Sequence, residues 1–186
     1  MRECILIGGN MSFQLRFDFC KIDKESMSRY IKCMSSKKTP GCDGFQSHFV
    51  KLAGTHLSTS LCDIFNDCIV QCCFPSDMKC SEISPVFKKN DMLSKENYRS
   101  VNLLSVFSKL YERILSDQIM SYFERILSSH LSAYRKGYSC QHVIIKLTEY
   151  WRSTLDENKY VGTLSTDLSK AFDKMPHGLL IAKLRA

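Results

Sequence analysis

The carboxy-terminal stretch Tyr160 to Ala186 constrains the fold more than any other part of the chain. Its alternating, β-branched opening, Tyr160-Val161-Gly162-Thr163-Leu164, predicts a strand. Asp167 stands at the expected end of that strand, and small or polar residues lead from it to Phe172 and Asp173. Pro176 stops the turn, and Leu179, Leu180 and Leu184 then recur at helical spacing. A strand that hands a carboxylate to a short crossover and a helix implies a mixed α and β fold. Such a carboxylate suits a hard divalent cation, because oxygen ligands favour Mg²⁺ and two such ions can clamp the oxygens of a phosphoryl transfer. The plainer use of an aspartate at that place is to cap a helix or turn.

A chain of 186 residues suffices for one domain with a real core, or for part of a larger one. The hydrophobic fraction of 44% and aromatic fraction of 11% are globular values that exclude a disordered tail. A formal charge of +7 favours an acidic partner such as nucleic acid, although its even spread serves solubility equally well. The ten cysteines do not read as a zinc or disulfide framework. Cys68, Cys72, Cys73 and Cys80 form no paired C-x-x-C knuckles, and the five histidines are scattered. Cys68 and Cys72 share a predicted apolar helix face with Leu61 and Phe65, so buried thiols in a reducing compartment are expected. No basic lead precedes a long apolar core, which implies an intracellular protein of the nucleus or cytoplasm rather than a secreted one. No apolar run approaches 18 residues, so no membrane partner is expected.

Residues 1 to about 20 show no clear period. Met27, Tyr30, Ile31 and Met34 predict a helix over Lys24 to Ser36. Pro40-Gly41 and Asp43-Gly44 specify a tight, exposed turn with Lys37 and Lys38 at its mouth. From Thr55 to Phe74 the apolar residues fall on one helical face, with Thr55 or Ser58 as cap and Pro75 past the end. Ile83 and Val86-Phe87 read as a short strand, and Pro85 within it argues for an edge. The segment that follows, through Lys88-Lys89, Asn90-Asp91 and Asn97-Tyr98-Arg99, predicts a basic β-hairpin with a mobile tip. There Arg99 offers a planar fork to phosphate oxygens, and Lys88 or Lys89 a compact charge. Alternation lets only one of the two lysines point inward. Apolar residues from Leu103 to Ile126 predict a long helix over Asn102 to Leu127, its stripe read as core. Arg135, Lys136 and Gly137 then precede Ser139 at the start of a helix predicted over Gln141 to Leu155, an anion-friendly arrangement. Tyr134 and Tyr138 beside them serve base stacking or packing equally well.

Several of these segments carry a family resemblance. Asp167-Leu168-Ser169-Lys170-Ala171-Phe172-Asp173 with Pro176-His177 resembles the first catalytic-aspartate motif of non-LTR (long interspersed element-type) retrotransposon reverse transcriptases. Lys38 to Gly44 is similar to that family's K-x-P-G-x-D-G segment, and Pro85 to Arg99 resembles its fingers motif. Leu104 to Leu115 is similar to its fingers-to-palm helix, and Tyr134 to Ser139 resembles its F-R-x-G-x-S motif. Ser100 and Asn102 depart from the usual Pro and Ser after the hairpin arginine.

The resemblance implies an α+β fold: right-hand polymerase fingers, helix-rich with a basic β-hairpin, then an incomplete palm with its first strand. Residues 1–36 would be a lead-in, 37–158 the fingers and fingers-to-palm helices, and 159–186 the start of the palm. It implies that Asp167 and the Leu168 carbonyl hold metal, with Mg²⁺ as the cofactor and two ions in a complete enzyme. Ala171 and Phe172 would face the incoming nucleotide, Phe172 as the gate against a 2′-hydroxyl, and Lys88, Lys89 and Arg99 would bind its phosphates. Lys37, Lys38, Arg135, Lys136 and Ser139 would contact nucleic acid. The implied partners are an RNA template, a DNA primer, deoxynucleoside triphosphates and the remainder of the polymerase. The 186 residues hold no Tyr-x-Asp-Asp motif, so this chain by itself is expected not to polymerise. The competing expectation is a non-catalytic nucleic-acid-binding remnant.

Overall fold

The heptad-like spacing of Met27, Ile31 and their neighbours is realised as helix α1 (Lys24–Lys32) in the computed structural model, which describes residues 17–36, 39–168, 171 and 174–185. Asp23 caps it by accepting from the Ser26 N–H at 2.7 Å. Helices α2 (Ser47–Leu52) and α3 (Gly54–Val70) follow, separated by Ala53. Strands β1 (Ser81–Phe87) and β2 (Tyr98–Leu104) pair antiparallel, then come α4 (Val106–Phe123), α5 (Cys140–Asp156) and α6 (His177–Arg185). The chain divides into two units, Met1–Leu127 and Ser128–Ala186.

The first unit is built on α1, α3 and α4. Met27 and Ile31 of α1, Leu61 and Phe65 of α3, and Leu110, Tyr111 and Ile114 of α4 form its buried cluster. Phe65 is wholly buried and stacks at 4.7 Å on Tyr111, which also meets Phe74 at 5.3 Å. Two amide side chains fasten the extended segment before α1 by copying the backbone's own pairing. Asn66 Oδ1 accepts from Ile22 N–H at 2.7 Å and its Nδ2 donates to Ile22 O at 2.8 Å. Gln118 does the same to Cys20, at 2.8 and 3.0 Å. The segment from Cys20 to Ile22 is therefore a tethered strap.

Several sequence expectations need correction. Asn102 to Leu104 belong to β2, not to the long helix, because Ser105 accepts from the Ser108 N–H at 3.0 Å and starts α4 there. Neither Thr55 nor Ser58 caps α3; Ala53 occupies the cap, and the Ser58 hydroxyl donates instead to the Thr55 carbonyl at 3.0 Å. Of the nine described cysteines only Cys62 is buried, with Cys68 half-buried, and Cys72 lies exposed just beyond the end of α3 with φ 50°. The helix ends before Cys72 could join its apolar face.

In the second unit α5 is capped by Ser139, whose Oγ accepts from His142 N–H at 3.4 Å, and none of its residues is buried. The expected strand over Tyr160 to Leu164 does not form: the segment is irregular, and Leu164 is 90% exposed. A strand requires a neighbour for its N–H and C=O groups, and among the described residues the only sheet is the β1–β2 pair. β-Propensity without a partner did not make a strand here. The fold is thus α+β and helix-rich, with one antiparallel hairpin.

Candidate nucleic-acid interface and carboxylate segment

The hairpin register follows from its pleat. Phe87 pairs with Tyr98, Val86 with Arg99 and Pro85 with Ser100. The rings of Phe87 and Tyr98 meet at 5.5 Å on one face, so Val86 and Arg99 lie on the other. The Lys88 N–H donates to the Asn97 carbonyl at 2.8 Å, which closes the hairpin one step beyond the last pair. The tip is braced rather than loose. Asp91 Oδ1 accepts from Leu93 N–H at 2.9 Å, Asn97 Nδ2 donates to Asp91 O at 2.8 Å, and the Tyr98 hydroxyl donates to Met92 O at 3.0 Å. Lys88, Lys89 and Arg99 are all exposed.

At the other end of the hairpin, the Pro-Gly turn docks on the junction of β2 and α4. A Cβ on Gly41 would fall 2.5 Å from the Leu104 C and O atoms and 2.6 Å from Ser105 N, so only glycine permits this approach. Asp43 Oδ1 accepts from Phe45 N–H at 3.2 Å, Gly44 takes φ +70°, and the Phe45 ring meets Phe107 at 5.8 Å. Lys109 Nζ donates to the Thr39 carbonyl at 3.2 Å, fastening the turn to α4. Lys37 and Lys38 lie outside the described residues. The sequence flagged the turn but not what it touches; the adjacent glycines signalled backbone freedom, and only the fold shows that Gly41 serves contact.

In the second unit the turn before α5 is organised around Arg135. Its Nη1 donates to the carbonyls of Ser128 and Leu131 at 3.1 and 3.2 Å, and its guanidinium lies 4.7 Å from the Tyr138 ring centroid. Gly137 has φ +85°, Lys136 is exposed and Ser139 is the helix cap. Arg135 and Ser139 therefore have structural employment, a use the sequence pattern did not separate from ligand contact. Asp167 and Leu168 lie exposed in the irregular segment, with Ala171 also exposed; Phe172 and Asp173 lie outside the described residues. The donor chemistry of a carboxylate and a carbonyl fits a hard cation. Among the described residues, however, no three His, Cys, Asp or Glu side chains cluster to complete a metal centre. No helix among them is long and apolar enough to cross a membrane.

The chain is thus helix-rich α+β, with exposed Lys88, Lys89 and Arg99 on an antiparallel hairpin and a later exposed carboxylate segment at Asp167. Comparison with known proteins identifies the class: residues 87–186 match the family "Reverse transcriptase (RNA-dependent DNA polymerase)", and the chain belongs to it. Within that family it is similar to proteins of non-LTR elements. It is 29% identical over 175 residues to the "Probable RNA-directed DNA polymerase from transposon BS" of Drosophila melanogaster, covering 92% of this chain and 19% of that protein. It is 24% identical over 179 residues to the X-element polymerase of the same organism, covering 95% and 20%. It is 22% identical over 179 residues to the "RNA-directed DNA polymerase from mobile element jockey" of Drosophila funebris, covering 94% and 19%. The chain thus spans about a fifth of the length of these curated relatives and is a reverse transcriptase domain fragment of a non-LTR retrotransposon polymerase. These matches do not favour the non-catalytic remnant. Divalent metal ions, an RNA template and nucleotides are general to the family.

Proposed function

We propose that this chain supplies the fingers and the opening of the palm of an RNA-directed DNA polymerase, with the fingers over residues 37–158 and the palm beginning at 159. The reaction is attack of a primer 3′-hydroxyl on the α-phosphorus of a template-paired deoxynucleoside triphosphate, with pyrophosphate leaving. The register of the hairpin carries this reading. Val86 faces Arg99, and continuing the alternation through Lys88 puts that lysine on the same face, with Lys89 opposite. Lys88 and Arg99 then grip the triphosphate together, the guanidinium as a bidentate fork and the ammonium as a point charge. Lys89 takes the outer side.

Asp167 and the Leu168 carbonyl would hold Mg²⁺, which when bound neutralises charge on the transferred phosphate. Ala171 and Phe172 would border the sugar, with Phe172 crowding a 2′-hydroxyl. Lys37, Lys38 and Lys136 would contact backbone phosphates of template or primer, and Arg135 and Ser139 would shape that contact by holding the turn before α5. One aspartate motif does not fix two metal ions, so this chain by itself is expected to bind nucleic acid without extending a primer.

The test is fluorescence anisotropy of a labelled single-stranded RNA across a salt series, paired with primer extension. Affinity should fall as salt rises. Lys88→Ala and Arg99→Ala should each weaken binding of a deoxynucleoside triphosphate more than Lys89→Ala does, while Asp167→Ala leaves RNA affinity unchanged. Salt-independent RNA affinity would refute the nucleic-acid reading, and Mg²⁺-dependent incorporation by this chain would overturn the expectation that its carboxylate set is incomplete.

A further inference from the structure

Three cysteines mark the end of α3, Cys68 in its last turn and Cys72 and Cys73 just beyond it, and the way the helix stops decides which two of them meet. Gln71 is the cap residue. Beyond it Cys72 takes φ 50°, and its N–H donates to the Ile69 carbonyl at 3.2 Å. The Cys73 N–H then donates back to the Cys68 carbonyl at 3.0 Å. Those two bonds, with a left-handed residue between helix and exit, are the Schellman pattern. In that pattern the side chain three residues before the cap commonly meets the one two residues after it. The usual partners are apolar; here both are thiols.

Electrostatics place the same sulfurs together. Burial first, and the neighbouring Cys73 next, push the Cys68 thiol upward. Burial first, and then Cys68, Cys73 and Cys72, do the same to the Tyr111 phenol. The pair therefore borders the ring that Phe65 and Phe74 meet at 4.7 and 5.3 Å. Cys73 is exposed and Cys68 half-buried, so one sulfur meets solvent while the other is held against the core. A disulfide needs Cα atoms about 4.4–6.8 Å apart, and a direct backbone hydrogen bond between two residues keeps them within that reach.

We propose that Cys68 and Cys73 form a redox-sensitive modification site, a dithiol that closes to a disulfide by exchange with a low-molecular-weight disulfide such as oxidised glutathione. The Cys73 thiolate attacks one sulfur of that molecule and expels one glutathione thiolate, leaving a mixed disulfide. Cys68 gives its proton to solvent and attacks the Cys73 sulfur, expelling the second thiolate. Two S–H bonds of the protein are lost, one S–S bond breaks and one forms, and the two electrons leave on two molecules of glutathione. The new bond closes a loop of six residues across the helix stop and ties α3 to the segment that bears Phe74. An excess of reduced glutathione reverses it. Cys72 supplies the left-handed turn between the two sulfurs, a task that glycine fills equally well. The site is independent of the polymerase reading and stands or falls apart from it.

The experiment equilibrates the reduced full chain with mixtures of oxidised and reduced glutathione, quenches with acid and alkylates the remaining thiols. Mass spectrometry then reads the tryptic peptide 52–79, which holds Cys62, Cys68, Cys72 and Cys73. The expected product has lost two hydrogens, with its bond mapped between Cys68 and Cys73 and with Cys62 and Cys72 alkylated. Cys72→Gly should still close. Cys68→Ser and Cys73→Ser should not, and Cys68→Ser should accumulate the glutathione adduct of Cys73 in place of the loop. A thermal melt confirms that each variant is folded, and Cys73→Ser is the safeguard because that side chain is exposed. Closure should slow hydrogen exchange in the last turn of α3 by up to about 40-fold, the chain-entropy limit for a loop of six residues. In urea the preference for this pair over the peptide's other cysteines should vanish, because it belongs to the folded cap. Closure through Cys72, survival of the bond in Cys73→Ser, or failure of the folded wild type to close at any glutathione ratio would overturn the assignment. The same preference in urea would overturn the role of the cap, and unaltered exchange after closure would overturn its hold on α3.

Discussion

Gly41 and Gly44 stand three residues apart in one turn, and the structure assigns them opposite reasons for being glycine. At Gly41 the obstacle is contact: an added Cβ would come to 2.5 Å from the Leu104 carbonyl atoms and 2.6 Å from Ser105 N. Relief requires a shift of at least about half an ångström, and what must shift is backbone at a helix cap, not the end of a flexible side chain. Overpacking of this kind costs about 1–3 kcal/mol, and the rigidity of the neighbours puts Gly41→Ala at about 2–3. At Gly44 nothing lies within 4 Å, but φ is +70°. Gly44→Ala therefore costs only the left-handed penalty, about 1–2 kcal/mol. Asparagine separates the two causes, because it tolerates positive φ but is larger than alanine. Gly44→Asn should recover most of the loss, and Gly41→Asn should be at least as harmful as Gly41→Ala. For a chain of this size the Gly41→Ala loss corresponds to roughly 4–12 °C in Tm. Trp151, the only tryptophan, is in α5 of the second unit. Urea unfolding by far-ultraviolet circular dichroism, with hydrogen exchange read on α3 and α4 peptides, is the suitable assay. Gly41→Ala within about 0.5 kcal/mol of wild type, or rescue by asparagine at position 41, would show that the turn does not press on the β2–α4 junction.

Phe65→Ala should destabilise the first unit by about 3–5 kcal/mol, since the ring is wholly buried against Tyr111; a urea midpoint unchanged from wild type would refute that core. Stability should fall on the alkaline side. Burial pushes the Tyr111 phenol above its ordinary 10.0 and the Cys62 thiol above 9.0, so their contribution is complete below those values and is lost as pH rises through the folded-state ones. Tyr111→Phe should flatten the decline between pH 9 and 11 under reducing conditions, and an equally steep decline would exclude Tyr111 as its source. Ser139→Ala should cost α5 about 1 kcal/mol through loss of the cap to His142, read as faster exchange in the first turn of that helix, while exchange at its last turn stays the same.

How much of this was legible in the sequence depends on whether a feature is local. The helices were, because Met27 and Ile31, or Leu110 and Ile114, announce a face within a single turn of chain, and the structure buries those residues. The hairpin was also legible, since its strands and loop are contiguous and their turn chemistry is carried by Asp91 and Asn97. The expected strand at Tyr160 failed for the complementary reason. Its residues specify an extended backbone, yet pairing is a property of two segments, and propensity in one says nothing about the other. Asn66 and Gln118 were invisible because an amide in a helix looks like surface until a strap is seen to hydrogen-bond it.

The candidate site divides along the same line. The basic residues of the hairpin could be found from the order Lys88-Lys89 to Arg99, but the two lysines could not be separated until a register existed. Pairing Val86 with Arg99 fixes the parity of every residue in both strands, and one hydrogen bond from Lys88 to Asn97 carries that parity past the strand end. What lay beyond the sequence was the seating of the Pro-Gly turn. Nothing in the residues of α4 ties Lys109 to a turn that precedes it by 70 positions, yet its ammonium donates to the Thr39 carbonyl at 3.2 Å. Gly41 is what lets the turn come that close, so Gly41→Ala should release the Lys109 head as well as strain the fold. Lys109→Met made in the wild type and in Gly41→Ala closes a double-mutant cycle: its cost should be smaller on the Gly41→Ala background, and equal costs on both would mean that the glycine and the lysine act separately.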